Sequence, residues 1–209
     1  MTKPNWFADF ETALATTSRE NFSHFEVPPT YERTAAVLIL FGPNDDDADI
    51  LIIERAAHLF DHPGQPAFPG GHVEDHDDDL IATALREAQE EIGLDPSTVK
   101  VITSLPQLWL PPSQVAVTPI VAWWETPHEL TQIDTNEVAN VHRIPIKDFV
   151  KPENRVTVKG RSGFVGPAFK VNEMVVWGFT GGLVSALIEI AGLAQEWDNT
   201  IRHEINLEY

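Results

Sequence analysis

A chain of 209 residues, 43% of them hydrophobic, is long enough for one domain with a substantial core, or for one domain plus an extension. Fourteen basic against 32 acidic residues give a formal charge of −18, which repels nucleic acid backbones and anionic membranes and argues against both as partners. With no cysteine, disulfides, thiolate chemistry and thiolate zinc sites are excluded, whereas a carboxylate cluster holding divalent cations can still attract an anionic small molecule.

Residues 1–30 read as an N-terminal extension, with a short amphipathic segment around Trp6, Phe7, Phe10 and Leu14 and a polar stretch closed by Pro28 and Pro29. No apolar signal-peptide run follows the N-terminal charge, so a cytoplasmic location is the expectation. Residues 31–209 form the main domain. Thr34–Phe41 and Ile50–Ile53 are apolar runs separated by Gly42–Asp49 and predict a hairpin. The aspartates between them lack the ligand spacing and distal glutamate of an EF-hand and predict a solvated turn.

A Pro/Gly-rich loop, His62–Gly71, leads into an acidic segment and then the best helix in the chain, about Asp79 to Ile92, ended by Gly93. Val99–Leu110, Val115–Trp124, Val138–Ile146 and Arg155–Val158 are strand-like. Val175–Ala194 contains Glu189, four glycines and two hydroxyl residues, which fits a strand end leading into a core helix over Gly181–Ala194 and not a membrane span. The tail from Gln195 is polar. The expectation is one α/β domain with a mixed sheet.

On a helix, Ile81, Leu85, Ala88 and Ile92 fall on one stripe, which must face the core. Glu87, Glu90 and Glu91 fall opposite, where their mutual repulsion weakens the helix by roughly a few tenths of a kcal/mol per pair. A hard divalent cation such as Mg²⁺ relieves that repulsion, and Arg86 can orient one carboxylate. Taken alone, the helix reads more readily as a solvated acidic face with Arg86 pairing to Glu90. It is preceded, however, by Phe68-Pro-Gly-Gly71 and by Glu74, Asp75, Asp77, Asp78 and Asp79, which bring glycine backbone and further carboxylates beside it.

Gly70-Gly71, an acidic residue near 77, and Arg86-Glu87-Ala88-Gln89-Glu90-Glu91-Ile92-Gly93-Leu94 resemble the Nudix box. Fourteen residues separate Gly71 from Arg86, one more than in the common form, and Asp77 or Asp78 stands in place of the early glutamate. Ile53-Glu-Arg-Ala56, Gly64-Gln65, Phe68-Pro-Gly-Gly71, Thr83–Ala88, Val117-Thr-Pro119 and Val176–Thr180 are similar to the coenzyme A diphosphatase branch of that family. There the branch carries a second arginine where this chain has Phe60, so an aromatic ring replaces a phosphate-pairing fork. That departure leaves ADP-ribose, a dinucleotide or a nucleoside triphosphate open as substrates.

The resemblance implies an α/β/α sandwich with a mixed sheet and a catalytic loop-helix-loop. It implies Mg²⁺ or Mn²⁺ held by Glu87, Glu90 and Glu91 with a backbone carbonyl of Gly70 or Gly71, polarising a diphosphate and lowering the pKa of a bound water. Arg86 would orient Glu87, and Glu137 is the candidate further metal ligand or general base, against its reading as an ordinary exposed residue before a strand. Arg55, Phe60 and Gly70 are the expected substrate-contacting positions; Arg55 reads alternatively as a strand end with its head in water. For coenzyme A or its thioesters the products would be 3′,5′-ADP and 4′-phosphopantetheine. A non-catalytic nucleotide-binding module has little need of three adjacent carboxylates.

Many relatives in the family dimerise, which keeps a homodimer open, but no seam is legible. His58, His62, His72 and His76 lie in loops and favour surface or supporting roles over a zinc site. Trp109, Trp123, Trp124 and Trp177 read as core aromatics, with adenine stacking as the alternative.

Overall fold

The computed structural model describes residues 2–45, 47–160 and 164–205. In chain order it contains α1 (Trp6–Leu14), β1 (Arg33–Asn44), β2 (Asp47–Arg55), β3 (Pro66–Ala67), β4 (Gly70–His72), α2 (Leu80–Ile92), β5 (Val99–Ser104), β6 (Leu108–Leu110), β7 (Val115–Trp124), β8 (Val138–Pro145), α3 (Ile146–Val150), β9 (Arg155–Gly160), β10 (Val165–Val171), β11 (Met174–Val176), α4 (Gly178–Ile190) and β12 (Arg202–Ile205).

The main sheet runs β3-β2-β1-β7-β5, with β4 also on β1, β6 on β7 and β8 on β2. β1 and β7 pair in parallel from Arg33↔Val115 to Phe41↔Trp123, while the other pairings are antiparallel. The sheet is therefore mixed, and helices cover both faces, which is why β1 and β7 are apolar at successive positions and do not alternate with polar ones. Leu38, Leu40, Leu51 and Ile53 point to the α2 side and join Ala84, Ala88 and Ile92. Ile39, Phe41, Ile50 and Ile52 point the other way and join Leu183, Val184 and Leu187 of α4. This is an α/β/α arrangement, as the resemblance implies.

The N-terminal segment belongs to that second core. Phe7, Phe10 and Leu14 of α1 are buried, with Phe7 edge-on to Trp123 at 4.8 Å and to Phe41 at 5.6 Å between ring centroids. The Trp6 indole N–H donates to Asp47 Oδ1 at 3.0 Å, tying the helix to the hairpin.

Several boundaries differ from those read in the sequence. The span Gly42–Asp49, predicted as a turn, is mostly strand, because β1 continues to Asn44 and β2 starts at Asp47, paired with it. Asp45 takes the left-handed conformation (φ 48°) that so tight a reversal needs; Asp46 lies outside the described residues. Val99–Leu110 splits into two strands because Pro106 offers no N–H to the ladder. The helix predicted over Gly181–Ala194 begins three residues earlier and ends at Ile190, ahead of Gly192 at φ 69°. A second sheet, β11-β10-β9-β12, draws a strand from the polar tail, since β12 pairs in parallel with β9. No helix among the described residues is long and apolar enough to cross a membrane.

Asp49, inside the sheet, is 3% exposed and pairs with Arg143 Nη2 at 2.7 Å. Burial pushes its carboxyl up to about 6 against the opposing pull of Arg143. Because the folded-state value lies above the ordinary one, the folded protein holds the extra proton, and stability falls as pH rises from about 4 to 6 by on the order of 2–3 kcal/mol from this group. Asp49→Asn is expected to gain stability relative to the wild type across that window and to hold the gain above it. Urea unfolding at pH 4 and pH 7 measures the difference, and an equal difference at both values would contradict the assignment.

Candidate active site

β4 and α2 build the site. Gly70 has φ 152°, a conformation open to glycine, and a Cβ there would run into the Ala36 carbonyl and Val37 Cα of the neighbouring strand. That close approach turns the Gly70 N–H to Glu91, whose Oε2 accepts it at 3.1 Å. Asp79 caps α2 by accepting from the Ala82 N–H, and Gly93 closes the helix at φ 69°.

The carboxylates do not share one exposed face. Glu90 points to solvent, Glu87 is 15% exposed, and Glu91 is buried at 2% beside Ala88 and Ile92. The core-facing stripe is thus rotated from the one predicted: Thr83, Ala84, Ala88, Glu91 and Ile92 are buried, with Ile81 and Leu85 on the flank. The rotation has a local reason, because Glu91 finds the Gly70 N–H at the base of the loop and gives up water for it.

Arg86 organises the outer part. Its Nε and Nη2 grip Asp77 in a two-point fork at 2.8 and 3.0 Å, its Nη1 donates to Glu87 Oε1 and Glu90 Oε2, each at 3.0 Å, and its Nη2 also reaches the His72 carbonyl. The fork belongs to Asp77, and Asp78 takes no part in it. The guanidinium hydrogen bonds hold the Asp77 carboxyl well below the usual carboxylate range. They make Arg86 a still firmer cation. Inside, burial pushes Glu91 up to about 8, opposed by the Gly70 N–H and Arg55 and reinforced by Glu87 and Glu137. Burial raises Glu87 as well, opposed by Arg86.

Glu137 arrives from a separate segment. Ile133 and Asp134 donate N–H groups to the Glu91 carbonyl at the end of α2, the Glu137 N–H donates to the Asp134 carbonyl, and the Glu137 carbonyl accepts from Ala56. The loop is thereby latched to the helix it faces. Arg55 sits at the end of β2 close enough to affect Glu91, whereas Phe60 is 98% exposed and its ring stands in water. Of the aromatic candidates, Trp123 and Trp124 are core residues.

The donor set fits a hard divalent cation. Glu91 Oε1 is buried with no hydrogen-bond partner, and the Glu87 carboxylate fills the space a side chain at residue 71 would occupy. Every available donor is oxygen. Among the described residues no three carboxylate or imidazole groups are already drawn together as a metal-bound set, because Arg86 holds Glu87 and Glu90 outward while Glu91 lies inward.

The NUDIX domain family matches residues 30–162. This chain belongs to the Nudix family. It is 31% identical over 205 residues to Nudix hydrolase 15, mitochondrial, of Arabidopsis thaliana, covering 90% of this chain and 70% of that one. Over 195 residues it is 33% identical to the uncharacterized Nudix hydrolase NudL of Escherichia coli (strain SMS-3-5 / SECEC), covering 90% and 93% of the two chains. Among solved structures, the Nudix hydrolase RenU of M. smegmatis aligns with a TM-score of 0.54 at 18% identity over 79% of this chain and 89% of that one. A MutT/nudix family protein from Enterococcus faecalis aligns at 0.51 and 17% identity over 90% and 73%. These likenesses establish the Nudix fold.

Within that fold the glycine pair is expected to separate stability from activity. Gly70→Ala forces backbone against backbone and is expected to cost about 3 kcal/mol or more. Gly71→Ala meets only the end of the Glu87 side chain, which can swing aside. The expected outcome is a protein with nearly wild-type melting temperature and turnover reduced about tenfold, since a carboxylate displaced by an ångström or so loses positioning. Thermal melts beside initial rates check both halves.

Proposed function

We propose that this Nudix chain hydrolyses a phosphoanhydride bond in a nucleoside diphosphate derivative, with coenzyme A and its thioesters as the leading substrates and 3′,5′-ADP and 4′-phosphopantetheine, free or acylated, as products. The observation that carries the reading is the buried Glu91 carboxylate with one oxygen unpartnered, among Glu87 and Glu137 and within reach of Arg55. A buried carboxyl group with one oxygen unpartnered is costly to the fold, and such arrangements mark functional sites.

Glu87, Glu90 and Glu91, with the Gly71 carbonyl, would hold Mg²⁺ or Mn²⁺. The cation, when bound, supplies Lewis-acid polarisation of the linked phosphates and neutralises their charge. Arg86 orients Glu87 and Glu90 through Nη1, and its fork to Asp77 fixes the guanidinium for that task. Glu137, exposed and latched by its loop, is placed to take a proton from the attacking water. Arg55 contacts the phosphates from the β2 side.

A second reading changes the substrate and keeps the chemistry: ADP-ribose, a dinucleotide or a nucleoside triphosphate. Phe60 favours it, since a ring in solvent gives no charge to a 3′-phosphate. A panel of coenzyme A, acetyl-CoA, ADP-ribose, diadenosine polyphosphates and nucleoside triphosphates, with Mg²⁺ or Mn²⁺ and product identification, tests both. Formation of 3′,5′-ADP supports the first; turnover confined to other members of the panel supports the second. No turnover of any member would leave a nucleotide-binding module.

A further inference from the structure

Opposite the carboxylates lie two hydrogen-bond donors that the protein itself does not use. Arg55 Nε and Gln65 Nε2 are both buried and both without a partner. Register explains why they stand together. Glu54 pairs with Pro66 and Ile53 with Ala67 across β2 and β3, so Arg55 faces Gln65, and the Arg55 N–H donates to the Gln65 carbonyl at 3.0 Å. Directly opposed residues share one face of the sheet with Cβ atoms about 5 Å apart. The face follows from period two: Ile53 and Ala67 both lie in the core beneath α2, so Arg55 and Gln65 project to that side, where Glu91 and Glu87 are.

A buried N–H without a partner costs roughly 1–3 kcal/mol, and here two occur side by side at the rim of a carboxylate cluster. A ligand that satisfies both must bring acceptor oxygens, and one that also suits cations on the carboxylates must be multiply anionic. Phe60, at the tip of the loop that leaves Arg55 and returns at Gln65, offers no donor and points to water.

We infer that Gln65 is a phosphate-binding residue, the amide arm of an anion seat whose other arm is Arg55, holding one phosphate of the substrate's diphosphate against the carboxylate side. The inference rests on the reaction proposed above and adds the residue that supplies a second donor in place of an arginine. Gln65 acts in binding, and its side-chain N–H makes no hydrogen bond in the unliganded fold.

That last property gives the test. Methylenediphosphonate, whose bridging carbon resists hydrolysis, is titrated with Mg²⁺ into the wild type and into Gln65→Met by calorimetry, and both proteins are melted without ligand. The expected result is binding by the wild type, roughly tenfold to hundredfold weaker binding by Gln65→Met, and an unliganded melting temperature that is unchanged or higher. Equal affinity in the two proteins overturns the role of Gln65 and leaves the reaction standing. A melting temperature several degrees lower in Gln65→Met also overturns it, because the amide would then serve the fold. Failure of the wild type to bind the diphosphonate overturns this inference together with the reaction.

Discussion

Glu91→Gln is expected to lower kcat by roughly 10³-fold or more while the free protein melts a few degrees higher. The two effects have one origin. Glu91 is 2% exposed, accepts a single hydrogen bond from Gly70, and keeps its other oxygen unpartnered near two further carboxylates. Glutamine has nearly the same shape, is neutral like the protonated acid that burial favours, and still offers Oε to the Gly70 N–H, so the fold loses no hydrogen bond and no longer depends on Glu91 taking up a proton at neutral pH. Relief of that kind is worth about 1–2 kcal/mol, and each kcal/mol shifts the melting temperature of a domain this size by about 2–4 °C. Turnover moves the opposite way, since a neutral amide is a poor ligand for Mg²⁺ and the loss of several kcal/mol of charge stabilisation is a factor of about 10³. Melts of both proteins without metal, and kcat at saturating Mg²⁺, give the two numbers. A variant that is both less stable and fully active would remove Glu91 from the site.

Asp77→Asn is expected to lose both stability and activity. The Asp77 side chain is 2% exposed and holds Arg86 by two hydrogen bonds, so the amide leaves a guanidinium with half of its fork unmatched. Breaking a partly buried, charge-assisted pair from one side costs about 1.5–3 kcal/mol, which for this chain is roughly 3–12 °C of melting temperature. Arg86 then leans further onto Glu87 and Glu90, and kcat falls with it, by about a hundredfold if the carboxylates are turned away. The pH dependence has a definite sign. The folded-state pKa of Asp77 lies below its unfolded value, so the pair's contribution is fully present above about pH 4 and is lost as pH falls below that. The gap in stability between wild type and Asp77→Asn should therefore be wide at pH 7 and narrow toward pH 3, which denaturant titrations at the two values resolve.

Much of the fold follows from patterns that need no partner strand to be seen. The acidic helix with Asp79 before it and Gly93 after it carries its own caps, and the continuous apolar runs of β1 and β7 announce a sheet covered on both sides. The second sheet was harder to foresee: β12 comes from a polar tail and becomes a strand only because β9 offers it an edge. In the site, Arg86, Glu87 and the glycine pair are named by the resemblance to the Nudix box, which spacing along the helix alone does not supply. Which aspartate meets Arg86 is not named by it, since a three-dimensional fork chooses between Asp77 and Asp78. The side of the helix on which Glu91 falls depends on where Gly70 presents its N–H, and Gln65 matters only once strand register sets it across from Arg55. Helical periodicity places side chains to within one turn; hydrogen bonds from outside the helix decide the rest.

The aromatic residues of α1 rest against Trp123 and against α4, the last long helix in the chain. During synthesis these rings emerge well ahead of α4 and wait, at about 5–20 residues per second, for about ten seconds or more before the surface that buries them exists. The segment is therefore sticky while it is nascent, and its core closes only after α4 has been made.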